Sequence, residues 1–283
     1  MTGSKTFKKG RYFGVSPVLL GLAVVLVSPL ASADGTQESV ESSPSSALPT
    51  SPYATPWQLR SILPGNTARL DSAIAFYDDK SGNTGGLAVA TDLGGSYKLS
   101  SNLALSARIE TVSSAPPANA AGATAFTNPL VGATYSFQLS NEFRLGFFLG
   151  MTIPIGSGSG NTPNPAITNA LNASILARSA MDNALFATNY FGLIPGLDLA
   201  YIANGWTVQL EATLLQFTRV KSDIGDQYRT NFTSGFELGY SFTPLVMLEG
   251  ELHYQRYFNN QTVEATLNLR FKTWPSPSVP DLP

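Results

Sequence analysis

Between Thr67 and Phe271, large apolar side chains recur at every second position, in one segment of about ten residues after another. That period permits one local structure. A strand sends successive side chains to opposite faces, whereas a helix needs spacings of three and four. The stretch Pro129 to Gly156 shows it most fully, as two runs around a tight turn at Ser140-Asn141-Glu142. Before the turn, Val131, Ala133, Tyr135, Phe137 and Leu139 oppose Gly132, Thr134, Ser136 and Gln138. After it, Phe143, Leu145, Phe147, Leu149, Met151 and Ile153 oppose Arg144, Gly146, Phe148, Gly150 and Thr152.

The same alternation runs through Arg69–Tyr77, Leu87–Lys98, Leu103–Thr111, Phe191–Ile202, Trp206–Phe217, Phe232–Phe242, Val246–Tyr254 and Val263–Phe271. In Trp206–Phe217 the phase slips at Leu214-Leu215, the mark of a bulge. The mid-strand charges fall on the face opposite the large apolar residues: Arg69, Asp71, Asp92, Lys98, Arg108, Glu110, Arg144, Asp198, Glu211, Glu237, Glu249, Glu251, Glu264 and Arg270, with His253 beside them. Random placement would scatter them over both faces.

A soluble sandwich buries its apolar faces in a core; a membrane barrel turns them to lipid and its polar faces inward. Three features favour the barrel. Ten residues at ~3.3 Å each, tilted near 40°, rise roughly 25 Å, the height of a barrel's apolar band. Connections alternate between tight turns (Leu99–Asn102, Ser140–Glu142, Asn204-Gly205, Thr243-Pro244) and longer loops (Asp78–Gly85, Ser113–Phe126, Gly156–Tyr190, Val220–Arg229), although Asn259–Gln261, on the long-loop side, is short. Aromatic residues gather at both strand ends, which predicts two interfacial belts. Tyr97, Phe137, Phe143, Tyr201, Trp206, Tyr240, Phe242 and Phe271 form one, and Phe76, Tyr77, Phe126, Tyr190, Phe191, Phe217, Tyr257 and Phe258 the other. The reading is an all-β, transmembrane, antiparallel up-and-down β-barrel over residues 66–272. About ten strands are expected, or twelve if Trp57–Leu63 and part of the long loop also pair.

The N-terminus fits export. Lys5, Lys8, Lys9 and Arg11 precede an apolar stretch, Val18–Val27, and Ala31-Ser32-Ala33 forms a small-residue cleavage site. The apolar stretch is shorter than the ~20 residues that span a bilayer, so residues 1–33 read as a cleaved signal peptide. Residues 34–65 are rich in Ser and Pro and read as a periplasmic tether, with Trp57–Leu63 either a short docking segment or an extra strand. Residues 273–283 read as a Pro-rich periplasmic tail.

This pattern resembles bacterial outer-membrane β-barrel proteins, most closely the small transporter- or porin-like barrels, over roughly Thr67 to Phe271. The resemblance implies location in the bacterial outer membrane, with membrane lipid, small solutes and the barrel-assembly machinery as partners. That machinery reads a C-terminal aromatic residue; Phe271 closes the last strand, but Lys272–Pro283 follow it.

Other chemistries find little footing. The formal net charge of −2 gives no nucleic-acid footprint. With no cysteine, disulfides, thiolate metal sites, a Cys nucleophile and a lipid anchor on Cys are excluded. The single histidine stands in His253-Tyr254-Gln255, without the Ser two residues on that barrel phospholipases and lipid A deacylases carry. Gly156-Ser157-Gly158-Ser159-Gly160 lacks the Lys-Ser/Thr of a phosphate loop and reads as a flexible loop entry. No enzyme activity, cofactor or metal is expected.

The expected function is passive passage of small solutes through a narrow channel, the alternative a non-transporting structural or adhesion barrel. Eight strands fill with side chains and sixteen leave a channel, so about ten are compatible with either an open or a filled lumen. One long extracellular loop, Gly156–Tyr190, is expected to carry a short helix. Asn164 suits its cap, Pro165 its first turn, and Ala166–Phe186 holds no further Gly or Pro. Arg178 and Asp182, at i and i+4, are the candidate plug residues, with Arg178 meeting lumen carboxylates.

Overall fold

The computed structural model describes residues 24–26, 53–54, 56, 59–78, 83–118, 120–175, 177–178, 183–243, 246–259 and 263–273, with the backbone alone for 24–26 and 263–273. The protein is all-β. Its strands are β1 (Val24–Leu26), β2 (Thr67–Tyr77), β3 (Gly86–Lys98), β4 (Leu103–Ala115), β5 (Ala123–Phe126), β6 (Leu130–Gln138) and β7 (Phe143–Thr152). Two helices follow, α1 (Pro165–Ile175) and α2 (Asn183–Phe186). The chain then continues as β8 (Tyr190–Ala203), β9 (Trp206–Arg219), β10 (Tyr228–Thr243), β11 (Val246–Tyr257) and β12 (Val263–Thr273).

All strands join one sheet in next-neighbour order, antiparallel throughout, with β5 paired to β4 beside the main path. The expected strands are present and several run longer. Among the described residues the outer edge of β2 pairs with β1, Val24 opposite Ser72 and Leu26 opposite Leu70, and no pairing joins β2 to β12. The sheet is curled, and its concave side is filled.

The registers explain why the alternation is so regular. On the convex face, Phe137, Leu145, Leu199, Leu210, Phe236 and Leu252 stand directly opposite one another across six strands. At about 4.8 Å per strand this apolar row runs roughly 24 Å. One residue along, on the concave face, the row reads Gln138, Arg144, Ala200, Gln209, Glu237 and Glu251. A slip of one residue in any strand would exchange these rows, so register is strongly specified.

The tight turns share one end of the sheet. At Asn204-Gly205 both residues have positive φ, 52° and 82°, the type I′ geometry that matches strand twist and that Asn-Gly tolerates best. Around this end Phe143 stacks near Tyr201 with ring centroids 5.2 Å apart, and Trp206 near Tyr240 at 4.7 Å.

Three expectations change. The phase slip in β9 is not a bulge: its register with β10 runs unbroken from Trp206 to Thr218. Leu215 and Phe217 instead point to the concave side, where an apolar cluster receives them. That cluster also reduces the second aromatic belt. Tyr190 and Phe217 are buried within it, while Tyr77 and Tyr257 turn inward to hydrogen-bond Ser114 and Asn183. Phe76 and Phe258 stay exposed on the convex side. Finally, the expected loop Ser113–Phe126 is shorter, because β4 runs on to Ala115 and β5 pairs with its extension.

Candidate functional site

The concave face carries the charge. Asp71, Asp92, Glu110, Arg144, Asp198, Glu211, Glu237, Glu249, Glu251 and His253 are all buried there. Arg69 and Arg108 are partly buried. The side chains of Glu264 and Arg270 and the whole of Asp182 lie outside the described residues; in backbone register Arg270 faces Glu249 and Glu264 faces Gln255.

The carboxylates fall into two groups. Asp71, Asp92 and Glu110 stand directly opposite one another on β2, β3 and β4. Like charges so placed repel, and each has a cation close by. Arg69 pairs with Asp71, Arg108 Nη2 lies 3.1 Å from Asp92, and Arg178 Nε lies 3.7 Å from Glu110. The second group comprises Asp198, Glu211, Glu237, Glu249 and Glu251 on β8 to β11. Glu251 Oε2 is 3.0 Å from His253 Nε2.

Two segments fill the concavity. The first is the loop between β7 and β8. Asn164 caps α1, its Oδ1 accepting from the Ala166 N–H at 2.9 Å, and Pro165 takes the first helical position. The helix buries Ala170, Leu171, Ala173 and Ser174 and packs against β2 to β5. Leu171, Leu185 and Phe186 join Ala90, Val112, Phe148, Ile194 and Phe217 in one cluster. Asn128, fully buried between β5 and β6, fastens the base of this loop. Its amide donates to Ala187 O at 2.8 Å and its Oδ1 accepts from the Gly156 N–H at 3.0 Å. The Gly-Ser run is held as well: Ser157 N–H donates to Phe126 O at 2.7 Å and Gly160 N–H to Asn189 Oδ1 at 2.8 Å.

The second is the segment ahead of β2. The described part of Trp57–Leu63 is not a strand but lies against the inner wall, as do Tyr53, Ala54 and Pro56. Ala54 N–H donates to Thr207 Oγ1 at 3.0 Å, and Tyr53 Oη donates to Gln209 Oε1 at 2.9 Å while accepting from Ile62 N–H at 3.2 Å. The segment thus folds back on itself. Burial, with the nearby charge of Glu237 adding to it, pushes the Tyr53 phenol well above its ordinary pKa, so it stays a neutral donor. Arg69 Nη1 donates to Pro56 O at 3.0 Å.

Inward glycines make the seat. A Cβ at Gly239 would lie 2.6 Å from that of Ala54, one at Gly146 3.0 Å from Ile62 Cγ1, and one at Gly235 would collide with Leu59. The space those glycines leave is therefore occupied. Gly235→Ala should cost about 1–3 kcal/mol as an overpacking change or drive Leu59 out. Denaturant unfolding reads the first outcome and faster proteolysis within residues 53–63 the second; a variant matching the parent in both would show that the segment is not seated there.

Arg60 lies at the centre. Its guanidinium carbon is 4.1 Å from the Phe148 ring centroid, and its Nη2 pairs with Glu211 and Thr213. The Arg60 N–H donates to Glu211 Oε2 at 2.9 Å and its carbonyl accepts from Gln209 Nε2 at 2.6 Å. Sequence reasoning passed over Arg60 because it sits in a Ser/Pro-rich context. The available signal was the excess of inward carboxylates over inward cations, which calls for a cation from outside the strands. No family model matches this chain, and no curated protein matches it closely.

Proposed function

We propose that this protein is an outer-membrane β-barrel that passes small solutes through a narrow lumen, closed at rest by its own N-terminal segment and by the helical loop. The observation that carries the reading is the apolar row on the convex face beside a charged row on the concave one. Soluble monomers rarely expose contiguous apolar patches beyond a few hundred Å². A barrel in lipid needs such a surface and keeps its charges within.

In this reading β1 belongs to the signal peptide. Its removal frees the β2 edge along Leu70–Ser72, which then pairs with β12 and closes the sheet. Closure abolishes the exposed edges that otherwise invite aggregation. The chain has no native cysteine to interfere with a cross-linking test. Single cysteines walked along Thr67–Tyr77 against others along Val263–Thr273 should give one cross-linking register in the cleaved protein and none in the uncleaved one. The folded protein should also run faster unheated than boiled on gels. Recovery from the periplasm as a soluble protein would exclude the barrel.

The filled interior favours a second reading, a structural barrel that transports nothing. Planar bilayers separate the two. A plugged channel gives brief openings that grow more frequent under applied voltage; a structural barrel stays silent at every voltage.

A further inference from the structure

We propose that the pocket around Arg60 is a binding site for a small solute bearing a guanidinium group, and that Arg60 occupies it as a tethered stand-in while the passage is closed. The proposal deepens the passage reading by naming its solute class, although the pocket itself is defined by contacts alone.

The pocket is built for a planar, forked cation. The Phe148 ring offers its face at 4.1 Å, the geometry in which a guanidinium gains from the ring quadrupole. Glu211 and Thr213 receive the same terminal nitrogen, as carboxylate and hydroxyl acceptors at one edge of the plane. Gly196 opens the space, since a Cβ there would lie 3.0 Å from Arg60 Nη2. An ammonium, a compact point charge, would use neither the stacking face nor the fork as fully.

Arg60 does not complete the site it fills. Its Nε–H is buried without an acceptor, and the Asp198 carboxyl has no neighbour to hydrogen-bond except that of Glu211, a like group, among the described residues. Asp198 is 1% exposed and stands directly opposite Glu211 on the neighbouring strand, within electrostatic reach of Arg60. Two carboxyl groups sharing one buried site cannot both ionise without a cation between them. The backbone of Arg60 is pinned through Glu211 and Gln209, so its side chain approaches from one direction only. A free guanidinium has no such tether. It can stack on Phe148 and fork between Glu211 and Asp198, satisfying both carboxylates.

The test uses the signal-cleaved, folded protein in detergent, with methylguanidinium chloride as the probe and titration calorimetry as the readout. Arg60→Ala should bind the probe at least tenfold more tightly than the parent, in which the probe must displace a tethered competitor. Glu211→Gln or Asp198→Asn, added to Arg60→Ala, should each weaken binding tenfold or more, and Phe148→Leu several-fold. Tetramethylammonium, of equal charge but without N–H groups, should bind at least tenfold more weakly. Folding of each variant is read from its heat-dependent gel mobility. Arg60→Met, which keeps the aliphatic stem and loses the fork, replaces Arg60→Ala if that variant does not fold. A folded Arg60→Ala or Arg60→Met protein that does not bind methylguanidinium, or binds it regardless of Glu211, overturns the proposal. If neither variant folds, Arg60 is a structural strut rather than a displaceable stand-in, and the proposal fails as well. Binding in detergent does not depend on conduction, so the passage reading is judged separately in bilayers.

Discussion

If the convex face meets lipid, Leu197→Arg should destabilise this protein in bilayers by about 2–4 kcal/mol, the cost of an arginine on the lipid face near the midplane of a barrel. Leu197 lies at the middle of β8, 48% exposed on the convex face, opposite Phe147 and Ala212. If that face were in water, the same change would replace an exposed apolar residue by a soluble one, with an effect within about 0.5 kcal/mol. Denaturant titration in bilayers therefore decides which solvent the convex face meets. A neutral result would exclude the membrane reading. Ser136→Arg does not give a mild control, as an open lumen would allow. Ser136 is 1% exposed and faces Gly146, over which Ile62 is packed, so an arginine there must displace the N-terminal segment.

The second large effect concerns the two internal segments. Deleting residues 162–188, with a Gly-Ser bridge, removes α1, α2 and Arg178 but leaves Tyr53, Ala54, Leu59, Arg60 and Ile62 seated against β7 to β10. Deleting residues 53–63 alone leaves the helical cluster. Either single deletion should raise conductance only slightly, and the double deletion should give a steady open level. The current should prefer cations, since the inner carboxylates then lose Arg60 and Arg178 while keeping their own charge. A folded double deletion that stays silent would leave only the structural barrel.

The strands and their faces were legible because a sheet with one apolar and one polar face enforces strict alternation. Leu103, Leu105 and Ile109 against Ser106, Arg108 and Glu110 could be read directly and lie on opposite faces of β4. The alternation misled where the interior is itself apolar. Leu215, Phe217 and Tyr190 face inward onto Leu171 and Leu185, contacts between distant residues that no local period encodes. The start of the helix was legible for the opposite reason, since Asn164 and Pro165 act through their own backbone neighbours. The inner segment was not. Ala54, Leu59, Arg60 and Ile62 have no period, and what seats them is a set of glycines on strands that follow far later in the chain.

That separation bears on how the molecule is assembled. Tyr53 meets Gln209 across 156 residues, Ala54 meets Thr207 across 153, and Arg60 meets Glu211 across 151. Contacts of such long range form slowly, because the intervening chain must be ordered before they repay its entropy. Residues 53–63 can therefore dock only after β7 to β10 are in place. Until then the inner wall is wet, and Asp198, Glu211 and Glu237 keep their hydration while the strands find their registers. Docking of the segment would then expel that water late in folding, and in the passage reading the reverse step would begin opening.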